Sequence, residues 1–167
     1  MVLRSWSVRD ILETLEQWMA AGKSGAVATV VRTERSSPRE PGSAMAMNDS
    51  GEIAGSVTGG CVEPAVCAHA EEVMAGGPPR LAPYGIADED AFEVGLPCGG
   101  NVEIFIEEVD PATISAVADA VREDRSIAVV TAVTGSALGT RRVITLDDTD
   151  DPAYGLLERG QSGLIDD

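Results

Sequence analysis

Segments with helical periodicity alternate with short β-branched segments along this chain, and this alternation restricts its fold more than any other feature. Apolar residues three and four positions apart predict helices at about 7–22, 61–74 and 112–123. Strands are predicted at 25–33, 43–48, 52–57, 80–85, 101–108, 126–133 and 141–146. Asn48-Asp49-Ser50-Gly51 is the predicted turn of a hairpin. Helices interleaved with strands, plus one hairpin, predict a single α/β domain with a mixed β-sheet flanked by helices.

The charge of the chain disfavours two classes of partner. Its formal net charge is −16, from 28 acidic and 12 basic residues among 167. Such a field repels nucleic acid phosphates and anionic membranes, so neither is an expected partner. The first twenty residues are amphipathic and carry several charges, which is not the pattern of a secretory signal.

Cysteine usage indicates a reducing compartment. The chain has three cysteines, Cys61, Cys67 and Cys98, and an odd number argues against a disulfide framework. We therefore expect a cytoplasmic protein with reduced thiols. The spacing of Cys61, Cys67 and His69 is not that of a zinc site. Cys67 is predicted to be a small core residue, and His69 to lie on the exposed side of its helix.

Two glycine-flanked cysteines are the main candidates for chemistry. Gly59-Gly60-Cys61 joins a predicted strand to a predicted helix, whereas Cys98-Gly99-Gly100 precedes a strand. With Cys61 in the first helical turn, the helix dipole would lower the thiol pKa and the unpaired N–H groups could hold an anion. The alternative for Cys61 is a tight strand–helix connection in which the cysteine only packs. The alternative for Cys98 is a glycine-rich loop that contains an incidental buried cysteine.

Three arginines fall within eight residues of this acidic chain: Arg32, Arg35 and Arg39. They are either a solvated loop or a site for an anionic group.

Four ordered motifs resemble the XdhC/CoxI family, the accessory factors of xanthine dehydrogenase and related molybdenum hydroxylases. The motifs are Ser36-Ser37-Pro38-Arg39 with Pro41-Gly42 and Met45, Gly55 to Glu63, Tyr84-Gly85 with Asp88, and Gly95 to Gly100. The resemblance covers roughly residues 8–146. It suggests an XdhC/CoxI-like domain over 1–150 and a C-terminal tail over 151–167.

The resemblance implies a maturation role. Family members bind molybdenum cofactor, as molybdopterin or its dinucleotide form, shield it while sulfur replaces an oxo ligand, and deliver it to the apo-enzyme. The implied partners are an apo molybdenum hydroxylase and a cysteine desulfurase, and the implied activity is that of a carrier rather than an enzyme. A homodimer formed through the hairpin edge is a further expectation.

The resemblance also assigns site residues. Gly59, Gly60, Gly99 and Gly100 would contact the cofactor through their backbone, and Arg39 would pair with its phosphate. Cys61 and Cys98 would lie near molybdenum or relay sulfur. The rest of the predicted cofactor-binding set is Ser37, Gly42, Thr58 and Glu63. This assignment requires the two glycine-rich turns to line one cavity.

Two other functions stay open. The chain could be a sulfurtransferase that carries a persulfide on Cys61 or Cys98, or a module that docks the hydroxylase without touching cofactor. Many family members continue into a C-terminal dinucleotide-binding-like domain that this sequence does not contain. We expect either a naturally short member or a truncated chain.

Overall fold

Three helices and seven strands make up the part of the chain that the structure, a computed structural model, describes: residues 8–34, 37, 39–85, 100–145 and 150. In chain order the elements are α1 (Val8–Ala20), β1 (Gly25–Glu34), β2 (Ala44–Asn48), β3 (Ile53–Gly55), α2 (Glu63–Met74), β4 (Arg80–Tyr84), β5 (Asn101–Glu108), α3 (Pro111–Arg122), β6 (Ile127–Thr131) and β7 (Arg141–Thr145). Each agrees with a predicted element to within a few residues. The predicted tail, 151–167, lies outside the described residues.

The main sheet has five strands in the order β3-β2-β1-β5-β4, and β6 pairs with β7 in a separate two-stranded sheet. The predicted α/β class is confirmed, but the predicted mixed sheet is wrong, because each pairing between described strands is antiparallel. The reason lies in the crossover through α2. It joins β3 to β4, which run in the same direction but occupy opposite edges of the sheet, so they never pair.

Helices cover both faces of the five-stranded sheet. The alternation of β1 sends Ala26, Ala28 and Val30 toward α2 and Val27 toward α1 and α3. The core on the α2 side contains Ala26, Ala28, Val30, Met45, Met47, Val57, Val62, Val66, Ala70, Val73, Ala82, Tyr84, Val102, Ile104 and Ile106. The core on the other side contains Ile11, Leu12, Leu15, Trp18, Val27, Ala44, Ala46, Ile114 and Ala118. Small alanines on β2 therefore lie beneath large side chains of α1.

The close approach of α1 to the end of β3 requires a glycine at position 55. Gly55 has a φ of 79°, and a Cβ there would lie 2.3 Å from the carbonyl oxygen of Ala44 and 2.9 Å from Cγ2 of Ile11. Any larger residue would displace the helix or the strand.

An ion pair attaches the two-stranded sheet to the main sheet. Arg141 of β7 donates to Oε2 of Glu107 on β5 from Nη2 at 2.8 Å and from Nε at 3.0 Å. The exposed fractions of these side chains are only 17% and 16%. Burial raises the pKa of Glu107, and the charge of Arg141 opposes that shift. The contact is therefore a partly desolvated pair in which two guanidinium nitrogens donate to one carboxylate oxygen, rather than a loose surface pair.

The antiparallel order brings the predicted motifs to one end of the sheet. β1, β3 and β4 end where β2 and β5 begin, so the segments after Glu34, Gly55 and Tyr84 leave from the same end. We call it the loop end, defined by Glu34, Ser43, Gly55, Tyr84 and Asn101. None of the helices within the described ranges has the length and apolar character needed to cross a bilayer.

Candidate functional site

The turn between β3 and α2 differs from the prediction in where its helix begins. The structure starts α2 at Glu63, with Val62 as the N-cap residue, so Cys61 lies before the helix and not in its first turn. Pro64 explains the shift. Proline is tolerated in the first turn of a helix, but it has no backbone N–H, and a helix that began at Cys61 would require one from residue 64. The first such bond runs from the amide of Val66 to the carbonyl of Val62, at 3.0 Å.

The carboxylate of Glu63 fills the centre of this turn. Its Oε1 accepts hydrogen bonds from Ser56 Oγ (2.7 Å), Val57 N (3.2 Å), Thr58 N (2.9 Å) and Gly59 N (2.9 Å). Its Oε2 accepts from Thr58 Oγ1 (2.6 Å), Gly60 N (2.9 Å) and Val62 N (3.2 Å). The turn from Ser56 to Val62 thus folds around an anion that the chain itself supplies. We call Ser56–Glu63 the carboxylate turn.

These bonds hold Glu63 in its charged form. Partial burial would raise its pKa, but the hydroxyl and amide of Thr58 and the hydroxyl of Ser56 outweigh that effect and lower the pKa to about 2. Glu63 is therefore ionised at neutral pH. The amides of Gly59 and Gly60, predicted to face a ligand anion, donate to this carboxylate instead. A phosphate could use them only by displacing Glu63, so cofactor contact at these glycines stays a prediction.

The outer side of the same two glycines is open. Gly59 and Gly60 are exposed, with φ values of 87° and 117°, and a Cβ on either would meet no atom within 4 Å. Backbone conformation, not crowding, selects glycine here. With no side chain in the way, a ligand can approach the backbone closely from this side.

The two described cysteines have different surroundings. Cys61, in the carboxylate turn, is a half-buried free thiol whose inner side packs against the α2-side core. Cys67, in mid-helix, also packs on that core, as predicted, and burial together with Glu71 and Glu63 raises its pKa. Cys98 and Gly99 lie outside the described residues. The predicted cavity shared by Cys61 and Cys98 therefore stays a prediction.

The connection between β1 and β2 places a second predicted segment at the loop end. Gly42, with a φ of 90°, donates from its amide to the carbonyl of Val30 at 2.8 Å, so the chain re-enters the sheet there. Ser37 Oγ donates to the carbonyl of Arg39 at 2.7 Å and accepts from its amide at 3.4 Å. These local bonds shape the backbone around Arg39, whose side chain is half-buried.

The described residues on either side of 86–99 are close neighbours at the loop end. Tyr84 pairs with Val102, and a Cβ on Gly85 would lie 2.1 Å from Oδ1 of Asn101. Gly100 is buried and directly precedes β5. Residues 86–99, which include Cys98 and Gly99, lie outside the described residues.

A shallow depression lies at the same end of the sheet. It is lined by Arg32, Glu34, Pro83, Asn101, Val102 and Glu103. Its polar groups are paired with one another: Arg32 with Glu103 at 3.4 Å, and Asn101 with Glu34 at 3.4 Å. Of the predicted arginines, Arg32 thus faces a carboxylate.

Two features could not be read from the sequence. The side chain of His69 is only 12% exposed, contrary to the prediction, because Arg80 and Tyr84 of β4 lie against it. Its Nδ1 is 3.0 Å from Nη1 of Arg80. The anchoring role of Glu63 has no local sequence signal either, since it depends on how the turn folds back. The described residues contain no cluster of three metal-binding side chains.

Comparisons with known proteins agree with the motif resemblance. The model of the XdhC and CoxI family matches residues 18–85. The molybdenum cofactor insertion chaperone PaoD of Escherichia coli strain K12 is 32% identical over 104 residues, which cover 62% of this chain and 32% of that protein.

A solved structure supports the fold. The crystal structure of a xanthine dehydrogenase from Bacillus halodurans superimposes with a TM-score of 0.67 at 25% identity, over 80% of this chain and 42% of that one. The chain thus spans about a third of the length of PaoD and less than half of the Bacillus protein. The part of the chain that matches the XdhC and CoxI family model includes β1 to β4, the carboxylate turn and Tyr84-Gly85, and over these residues the chain is similar to that family.

Proposed function

We propose that this chain binds molybdenum cofactor at the loop end and assists its insertion into a molybdenum hydroxylase of the xanthine dehydrogenase or CO dehydrogenase type. One structural observation carries the proposal: the segments with Arg39, Gly59-Gly60-Cys61, Gly85 and Gly100 all lie at that same end of the sheet. The similarity to PaoD, a molybdenum cofactor insertion chaperone, gives the ligand class.

The residues at the loop end fit this cofactor in part. When bound, molybdenum cofactor supplies a soft metal and sulfur head and an anionic phosphate tail. The free thiol of Cys61 suits the head, and the open outer side of Gly59 and Gly60 admits it. The phosphate does not fit the amides of those glycines, which Glu63 occupies. Arg39 is the better phosphate partner.

The other predicted residues have structural roles around the proposed site. Ser37 and Gly42 shape the backbone around Arg39, whereas Thr58 and Glu63 bond to each other and hold the carboxylate turn. Cys98, Gly99 and Gly100 complete the proposed site from the other glycine-rich segment. None of these assignments requires the chain to catalyse a reaction.

The proposal extends to sulfuration. Cys61 and Cys98 lie near molybdenum or relay sulfur, a cysteine desulfurase donates that sulfur, and the apo hydroxylase receives the finished cofactor. A cytoplasmic location belongs to the proposal, since thiols stay reduced there.

The test is cofactor retention by cysteine variants. The chain is expressed in cells that make molybdenum cofactor, purified, and assayed for bound pterin by fluorescence after oxidation. Cys61→Ala and Cys98→Ala should each reduce pterin per protein several-fold and slow activation of the apo hydroxylase. Cys67→Ala is the matched control, because this half-buried thiol lies within α2 and outside the carboxylate turn, and it should retain wild-type occupancy. Equal occupancy in all variants would remove the proposed role of the thiols.

A sulfurtransferase is the second candidate, favoured by the free, half-buried thiol of Cys61. Mass spectrometry after incubation with a cysteine desulfurase and cysteine distinguishes it. A gain of one sulfur on the peptide that contains Cys61 would support covalent relay. If neither bound pterin nor a persulfide is found, the remaining candidate is a module that docks the hydroxylase without touching cofactor.

Self-association through the hairpin edge is also proposed. β3 is an edge strand of only three residues, and Ile53 on it is 53% exposed. Sedimentation analysis of wild type and Ile53→Lys should show a dimer that the substitution weakens. A wild-type monomer at high concentration would contradict it.

A further inference from the structure

We infer that Glu63 is the positioning residue of Cys61: its carboxylate fixes the backbone on both sides of that cysteine and so sets where the thiol is presented. This inference deepens the proposed function at the same site and rests on it for its biological meaning. The family resemblance placed Glu63 among cofactor-binding residues, but its contacts assign it a different task.

The strongest observation is that one oxygen accepts hydrogen bonds from the amides of both residues next to Cys61. The amide of Gly60, before the cysteine, donates to Oε2 of Glu63 at 2.9 Å, and the amide of Val62, after it, donates to the same atom at 3.2 Å. Thr58 reinforces this arrangement, since its hydroxyl donates to Oε2 at 2.6 Å and accepts from the amide of Val62 at 3.2 Å. Cys61 therefore has little freedom to move relative to Glu63.

The rest of the carboxylate turn explains why such an anchor is needed. Val57 and Val62, at the two sides of the turn, are fully buried in the α2-side core. Between them lie Gly59 and Gly60, both exposed and both at positive φ. Two adjacent glycines have more conformational freedom than any other pair of residues. Without the carboxylate, the buried valines and the hydroxyls of Ser56 and Thr58, which accept from the amides of Gly59 and Val62, would still restrain the turn. The amide of Gly60 would lose its bond, so the backbone before Cys61 could sample other conformations.

The anchor is also specific to a charged side chain of this length. Glutamine has the same shape, but it replaces one accepting oxygen with an NH₂ group that would face the amide donors of Gly60 and Val62. Aspartate keeps the charge but is one methylene shorter, so it reaches fewer of the donors. Glutamine should thus disturb Cys61 most, and aspartate should restore part of the native behaviour.

The inference is tested by the reactivity of Cys61 in the purified chain. Alkylation by iodoacetamide at pH 7.5 is followed by peptide mass spectrometry, with added glutathione as the reference thiol in the same sample, because Glu63 also acts on the pKa of Cys67. Glu63→Gln should change the ratio of Cys61 to glutathione alkylation rates by about tenfold, equivalent to about 1.4 kcal/mol. Glu63→Asp should give a smaller change, and Glu13→Gln, on exposed α1 surface across the sheet, should give none.

The outcomes separate positioning from simple stabilisation. An unchanged ratio in a folded Glu63→Gln variant would overturn the inference. If that variant does not fold, hydrogen exchange of the wild-type chain decides. The amides of Gly60 and Val62 should be protected despite the exposure of Gly60, and exchange of both at the rate of an unstructured peptide would overturn it.

Failure of the proposed function would look different. If Cys61→Ala retains full pterin occupancy, the cofactor role of the thiol is wrong, yet the alkylation ratio still reports whether Glu63 positions it. If Cys61→Ala loses cofactor while Glu63→Gln keeps both occupancy and ratio, the function stands and the positioning role falls.

Discussion

The hydroxyl of Thr58 donates to the carboxylate of Glu63 across 2.6 Å, the shortest of the bonds that this side chain accepts from the carboxylate turn. Thr58 is only 3% exposed, so the bond is largely shielded from water. It joins a buried residue of the turn after β3 to the first residue of α2. The segment resembles an anion-binding turn between a strand and a helix, but the carboxylate of Glu63 occupies the position that a bound anion would take.

Glu63→Gln should destabilise the fold by about 2 kcal/mol at pH 7, because a partly buried, hydrogen-bonded charge is replaced by an amide whose NH₂ group faces donors. The pKa of Glu63 falls from 4.5 to about 2 on folding, so its contribution is complete above pH 4.5 and is lost as the pH falls toward 2. Urea unfolding of both chains at pH 7, 4 and 3 measures this. The difference between them should shrink with acid. A difference that stays constant would contradict the assigned pKa.

Inorganic phosphate should not bind at the carboxylate turn. The amides of Gly59 and Gly60 already donate to Glu63, whose charge also repels anions. In a titration followed by ¹H–¹⁵N spectra, these two amide signals should stay in place to tens of millimolar phosphate. Saturable shifts of both signals would show that an anion displaces the carboxylate.

Gly85→Ala should cost about 1–2 kcal/mol, because its Cβ would lie 2.1 Å from Oδ1 and 2.9 Å from Cγ of Asn101. The added Asn101→Ala substitution removes both atoms and should recover part of the loss. Gly51→Ala is the control for backbone strain alone, since Gly51 has a φ of 77° and open space around it. Thermal unfolding of the four chains measures these effects, and equal losses in Gly85→Ala with and without Asn101→Ala would exclude a steric cause.

Arg141→Met should destabilise the chain by about 2 kcal/mol by leaving Glu107 without its partner. Burial already raises the pKa of Glu107, and Arg141 opposes that rise. Arg141→Met should thus raise the pKa of Glu107 further. A carboxyl group whose pKa is higher in the folded than in the unfolded chain stabilises the fold at low pH, and this contribution is lost as the pH rises.

Urea unfolding of Arg141→Met at pH 4 and pH 8 provides the check. The loss in free energy of unfolding relative to wild type should be larger at pH 8 than at pH 4. Adding Glu107→Gln should make this loss independent of pH. A deficit independent of pH would argue against the ion pair as its source.

The sequence alone located the regular elements well. Periodicity placed α1, β1, β5 and α3 to within three residues, because each has an apolar pattern that local geometry dictates. It also predicted Cys67 as a core residue from its mid-helix position, and this is correct in part, since Cys67 packs against the core but is only half-buried. The four motifs were recognised as a set, and the family match over residues 18–85 includes the first two of them and Tyr84-Gly85, whereas Asp88 and Gly95 to Gly100 lie beyond it.

Tertiary structure decided what the local pattern could not contain. Strand pairing depends on contacts between distant segments, and it made the sheet antiparallel and placed β3 and β4 at opposite edges. The same pairing gathered Arg39, Cys61, Gly85 and Gly100 at one end. The acceptor for the Gly59 and Gly60 amides also depends on how the turn folds back. Glu63 accepts both hydrogen bonds because it is the first residue of the helix that follows the turn. Residue types specify which groups can bond, but only the folded chain determines which of them meet.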